Sequence, residues 1–130
     1  MPQPTTNGKK MKELIDLGAL KEQLAIFAAE RDWNQFHNPK NLAMALSVEA
    51  AELLEIFQWL TADQGSAVEN DSERKMAVGE ELADIVVYAV RMAGVLNIDL
   101  SRAIEEKIAK NAVKYPVHKA RGNAKKYSDL

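Results

Sequence analysis

Cysteine is absent from the 130-residue sequence, which excludes disulfides, thiolate metal sites and a cysteine nucleophile. Histidine is nearly absent too. His37 and His118 are the only two, and neither belongs to a Glu-x-x-His pair, which argues against a di-iron carboxylate bundle and a zinc protease. The glycines form no GxxxxGK[ST] loop, as a Walker-type NTPase would need, and no GxSxG turn. Long apolar runs are missing: the longest, Ile85–Val90, is far short of the ~20 residues of a membrane-spanning helix. Residues 1–12 are polar and proline-bearing, without the apolar stretch of a secretory signal. The formal net charge is only −2, so bulk electrostatics exert no pull toward nucleic acid or anionic membrane. These absences leave a soluble, cytoplasmic protein of one domain as the expectation. Apolar residues make up 47% of the chain, enough for a real core.

What is present reads as helix throughout, with no alternating strand pattern and no repeat. A first helix opens after Asp16 and runs to about Trp33, with Leu17, Leu20, Leu24 and Phe27 on one stripe. After a polar connection, Asn34–Asn38, the cap Asn38 and Pro39 at the first position start a second helix. It extends to about Leu60 through Leu42, Leu46, Leu53 and Phe57, and Thr61–Glu69 reads as loop. The pair Asn70 and Glu73 suggests a capping box for a third helix, ending near Leu96 with Asn97 as a left-handed stop. Asp99 caps a fourth, carried by Leu100, Ala103, Ile104 and Ile108 until Pro116 ends it. The expected architecture is an all-α four-helix bundle over residues 16–116. It is preceded by a flexible segment, 1–15, and followed by a basic tail, 117–130, that includes Lys119, Arg121, Lys125 and Lys126. From Ile85 to Leu96 the third helix is apolar nearly all round, with Arg91 its only charge. Such a helix expects cover on every side, and one copy of four short helices does not supply it, so a homo-oligomer is expected.

The acidic residues fall in an unexpected place. Glu49 and Glu52 lie three apart on the second helix, and Glu81 and Asp84 three apart on the third, so each pair shares a helix face. On a helical wheel Glu49 lies inside the apolar stripe of Leu42, Leu53 and Ile56, and Glu52 at its edge. Asp84 directly precedes the Ile85–Val90 run. Most carboxylate pairs on helices are simply solvated, and Glu55, Glu73, Glu105 and Glu106 fit that class. A carboxylate in apolar surroundings, however, either shifts toward its neutral form or keeps a partner. Four facing one another call for a cation, and oxygen-only ligands select a hard one, Mg²⁺ or Mn²⁺.

Trp59, seven residues after Glu52, and Tyr88, four after Asp84, return to the sides that carry the carboxylates, where a nucleobase could stack. Either ring serves equally well as core or interface. Lys107, Asn111 and Lys114 line one side of the fourth helix, with Lys110 nearby, and could neutralise a polyphosphate or be a plain solvated face.

The spacing E-x-x-E (Glu49, Glu52) followed by E-x-x-D (Glu81, Asp84) resembles the signature of the MazG-like all-α NTP pyrophosphatases. The surrounding text is similar to the dCTP pyrophosphatase branch: Phe27–His37 (FAAERDWNQFH), Pro39–Leu46 (PKNLAMAL), Glu52–Trp59 (ELLEIFQW), Glu80–Tyr88 (EELADIVVY) and Lys110–Tyr127. The likeness covers nearly everything from Asp16 to Leu130. It implies Mg²⁺ ligation by Glu49, Glu52, Glu81 and Asp84. It implies a nucleoside pocket lined by Trp33, Asn34, Gln35, Phe36, His37, Trp59 and Tyr88, and substrate contacts from Lys107 and Asn111. It also implies a homo-oligomer, commonly a tetramer of two dimers. One departure is Leu24, which stands where the branch can carry a histidine and so removes one polar contact that bears on base preference.

The expected chemistry is Mg²⁺-dependent hydrolysis of a deoxynucleoside triphosphate, dCTP or a 5-modified dCTP, to monophosphate and pyrophosphate for nucleotide-pool sanitation. Three other readings stay open: the same chemistry with another or a broader base preference, a non-enzymatic helical interaction module, and nucleic-acid binding through the basic tail.

Overall fold

The computed structural model describes residues 5–6, 9–10 and 15–130. Apart from a two-residue antiparallel pairing of β1 (Thr5–Thr6) with β2 (Lys9–Lys10), the described chain is helical. Among the described residues that pairing is the one strand feature, and the sequence pattern did not predict it. For residues 1–4, 7–8 and 11–14 the expectation of a flexible segment lies outside the described residues.

Helix α1 spans Leu17–Glu30, with the Asp16 carboxylate accepting the Ala19 N–H at its start. It stops three residues short of the expected Trp33 because Asp32 turns left-handed, with φ +54°. The Trp33 N–H then reaches back to the Ala28 carbonyl at 2.8 Å and the Asp32 N–H to the Ala29 carbonyl at 3.1 Å. This is a Schellman closure with aspartate in the position that glycine usually holds. Helix α2, Pro39–Phe57, begins as the sequence predicts: the Asn38 side chain accepts the Asn41 N–H at 2.9 Å and Pro39 occupies the first turn. It ends a turn before the expected Leu60.

The expected loop 61–69 contains a short helix α3, Ala62–Ser66, and a 3₁₀ turn, Ala67–Asn70. Thr61 and Gln64 cap α3 reciprocally, so the motif that starts it was present in the sequence. Helix α4, Ser72–Val95, is capped by Asp71, which accepts the Arg74 N–H at 3.1 Å, rather than by the predicted Asn70. Its end is the predicted one: Asn97 is left-handed, and the Ile98 N–H returns to the Ala93 carbonyl at 2.8 Å. Asp99 caps α5, Leu100–Lys114, also as predicted. Beyond Pro116 the basic segment carries a short helix α6, Val117–Ala120, and a 3₁₀ turn, Tyr127–Asp129. The Tyr127 ring meets Tyr115 edge-on at 6.4 Å, with the Lys114 Nζ 4.9 Å from its centre.

The main packing is α2 against α4, with α1 laid on α4 and the 3₁₀ turn folded back on its start. The buried residues come from all four: Ala28, Leu42, Val68, Val90 and Ala93. Where α1 passes α4, Gly94 admits the Lys21 stem, since a Cβ there would stand 3.3 Å from its Cγ. Helix α5 is different. It buries no residue and packs broadly on no other helix of the same chain. Among the described residues α1 and α2 pack on α4, and the fourth expected helix, α5, packs broadly on none of them. Ile108 and Val113 on α5, Leu54 on α2 and Met76 on α4 are all exposed. So thin a core is meagre for a chain of this length, since folding depends on how much apolar surface it removes from water.

Candidate active site

Packing α2 on α4 brings carboxylates from both helices together. Oxygens of Glu49, Glu52 and Glu81 all lie within 4.8 Å of one another. The caps at Asn38 and Asp71 fix where each helix begins. Glu49 and Glu81 are half-buried, and each has an Oε2 atom shut off from solvent without a hydrogen-bond partner. Among the described residues no lysine or arginine forms an ion pair with any of the three.

Electrostatics respond accordingly. The neighbouring Glu81 carboxyl is the main reason the Glu49 carboxyl titrates above its ordinary value, with desolvation and the charges of Glu81 and Asp84 adding to it. Glu52 is raised chiefly by its hydrogen bond and charge interaction with Glu49. Without a counter-ion the cluster therefore retains a proton more readily than isolated carboxyls do. Two orphaned, buried oxygens in an oxygen-only donor set fit a hard divalent cation, and the residues present can hold Mg²⁺ or Mn²⁺.

Asp84 is more exposed and falls outside the three-oxygen cluster, although its charge acts on both Glu49 and Tyr88. Tyr88, a turn further along α4, is half-buried. Its hydroxyl is raised first by desolvation and then by the charges of Glu49, Asp84 and Glu52, which places the ring beside the acidic group.

The turn between α1 and α2 is an organised aromatic cluster. The Arg31 guanidinium stacks 3.5 Å above the Phe27 ring, Phe27 meets Trp33 edge-on at 5.7 Å, and Trp33 lies 5.9 Å from the His37 ring. Gln35 donates to the Asp32 carboxylate at 3.0 Å, and Asn41 donates to the Phe36 carbonyl at 3.0 Å. From α4, Arg91 Nε donates to His37 Nδ1 at 3.0 Å and an Arg91 Nη donates to Asn34 Oδ1 at 2.8 Å. Burial, and then the Arg91 charge, hold His37 below the usual imidazole range. The five residues Trp33, Asn34, Gln35, Phe36 and His37 are thus brought into one turn tied to α4. Phe36 is exposed.

Three predicted residues are not brought in. Trp59 is 86% exposed just beyond α2. Lys107 and Asn111 lie on α5, away from the acidic cluster's helices. The sequence did not place Arg91 beside this turn, although its standing as the only charge in the apolar half of α4 set it apart. A cavity of about 380 Å³ opens elsewhere, between Leu17 and Lys21 of α1 and the Asn97–Ser101 link, and holds none of the predicted residues.

Residues 44–130 match the sequence model of the MazG-like family. The dCTP pyrophosphatase 1 of Rattus norvegicus is 49% identical over 107 residues, which are 82% of this chain and 62% of the rat protein. That of Homo sapiens is 42% identical over 106 residues, again 82% and 62%. The chain therefore spans about 62% of the length of these relatives. In the crystal structure of a pyrophosphatase from Archaeoglobus fulgidus, 38% identical, the fold is similar with a TM-score of 0.70 over 83% of this chain and 99% of that one. With acidic residues at the expected spacing on two packed helices and a match that runs from within α2 to the last residue, the chain belongs to the MazG-like family.

Proposed function

We propose that the protein hydrolyses dCTP, or a 5-modified dCTP, to the monophosphate and pyrophosphate with Mg²⁺ (Mn²⁺ as a substitute), and so serves nucleotide-pool sanitation. The observation that carries this reading is the trio Glu49, Glu52 and Glu81 with two buried, unpartnered oxygens. The names of the rat and human relatives supply the substrate class.

In this reading Glu49, Glu52 and Glu81, joined by Asp84, hold the ion. Bound there, Mg²⁺ offsets the charge of the triphosphate and of the carboxylates and makes a water more acidic. The Trp33–His37 turn and Tyr88 wall the nucleoside, with Trp59 as a further stacking surface. Lys107 and Asn111 approach the polyphosphate from α5. Because α5 packs broadly on no other helix among the described residues, their approach is assigned to an assembled form. The apolar surface left on α5, with Ile108 63% and Val113 81% exposed, favours a homo-oligomer, read as a tetramer of two dimers.

The test is pyrophosphate release from each of the common ribo- and deoxynucleoside triphosphates, with and without Mg²⁺. Release that depends on Mg²⁺ and is fastest with dCTP is the expected result. Similar rates for all bases would replace the dCTP assignment with a broad housecleaning activity. No metal-dependent release from any nucleotide would overturn the enzymatic reading and leave a helical interaction module.

A further inference from the structure

Arg91 is half-buried in the most apolar part of α4, yet among the described residues it forms no ion pair with a carboxylate. Its guanidinium is satisfied instead by two neutral acceptors, 54 and 57 residues away in sequence: His37 Nδ1 and Asn34 Oδ1. A guanidinium that only needed solvation could turn outward on its long stem. Here its planar fork spans two residues of one turn, a task that suits arginine and not lysine.

Its place on α4 matters. Glu81, Asp84, Tyr88 and Arg91 are spaced three, four and three residues apart, which makes a single ridge. Arg91 lies about 10 Å along the axis from Asp84, at ~1.5 Å per residue. That interval is comparable with the separation of phosphate and base in a nucleotide.

We propose that Arg91 is a positioning residue. It clamps the Trp33–His37 turn to the same ridge of α4 that carries Glu81 and Asp84, and it fixes His37 as a neutral imidazole with its proton on Nε2. The tautomer follows from the donor count, because an Nδ1 that accepts from arginine carries no hydrogen, which leaves Nε2–H as the donor. The clamp would set the distance between the base-binding wall and the acidic cluster, and so act on substrate affinity. This rests on the reading of that turn as the nucleoside wall.

The experiment compares wild-type with Arg91→Met, which keeps the stem, Arg91→Lys, which keeps the charge, and Asn34→Ala, which removes one prong from an exposed position. Steady-state pyrophosphate release from dCTP with Mg²⁺ gives KM and kcat separately. Ligand-free ¹⁵N-histidine NMR, with His118→Gln for assignment, reports the His37 tautomer. For Arg91→Met the expected result is a KM raised roughly tenfold with kcat within about twofold, and loss of the single Nε2–H tautomer, the scale of losing a charged hydrogen-bond donor. Arg91→Lys should recover only part of the affinity, and Asn34→Ala should raise KM severalfold without altering the tautomer. A KM unchanged in Arg91→Met and Asn34→Ala, or a fall confined to kcat or to thermal stability, would overturn the proposal. If wild-type releases no pyrophosphate, the functional reading fails on its own. The clamp is then judged by the NMR arm, where a wild-type His37 protonated on Nδ1 refutes it.

Discussion

Glu49 and Glu81 carry the plainest evidence at the scale of single residues, since each leaves a buried oxygen without a partner. Substituting Glu49 or Asp84 by Ala should lower dCTP turnover by roughly 10²–10³-fold, the scale of removing a preorganised electrostatic contact, while the far-ultraviolet CD signal stays helical. Turnover retained in both variants would refute the metal assignment. The raised carboxyls of Glu49 and Glu52 give a pH signature with a definite sign. A group whose carboxyl is raised in the folded state stabilises it below the ordinary value near 4.5, and loses that contribution as pH rises through the raised value. The metal-free protein should therefore carry its full carboxylate repulsion at neutral pH. Saturating Mg²⁺ should raise the melting midpoint there far more than at pH 5, by about 2.7 kcal/mol of stability at a hundredfold excess over Kd. His37 runs the other way. Its lowered value means that its contribution is complete above 6.5 and fades as pH falls through the folded-state value. Among these residues the acidic spacing was legible in the sequence because three-residue steps translate directly into one helix face. The partners of Arg91 were not, because they lie on a turn more than fifty residues away in the chain.

Several helix starts and stops were legible from a single capping side chain. Asn38, Asp99 and the left-handed Asn97 are all where their chemistry predicts. The misses have physical causes. Asp32 accepts a left-handed turn that glycine would have signalled, so α1 ends early. Asp71 takes the cap expected of Asn70 because the two are adjacent and equally good acceptors. Thr61 and Gln64 cap a helix too short for apolar periodicity to reveal. The α4 cap has a measurable role. Asp71→Ala should cost about 1 kcal/mol in urea unfolding, as N-cap losses do, with kcat retained once the chain is folded. A loss of activity without any loss of stability would show that Asp71 acts on the site directly instead.

At the level of the whole molecule the apolar sequence of α4 leads one to expect more cover than one copy supplies. In the structure Val90 and Ala93 of α4 are buried, and α5 is the long helix that buries no residue. Sedimentation should give a mass several times the 14.5 kDa of one chain. Ile108→Asp, which puts a charge on that exposed apolar face, should shift the mass toward a single chain and lower stability by roughly 0.5–3 kcal/mol, the usual range for a destabilising substitution. A monomer with undiminished turnover would refute the assembly. No helix of the described residues is long and apolar enough to cross a membrane, so the uncovered faces are not spans.

The outlying α5 has a genetic corollary. If α5 carries its Lys107 into a neighbour's site, as proposed, a chain crippled at Glu49 but sound in α5 would still complete a healthy copy, so a damaged allele would leave the good one working. By the same exchange two chains with different defects, one at Glu49 and one at Lys107, would repair each other when made together, which neither could do if every subunit worked alone.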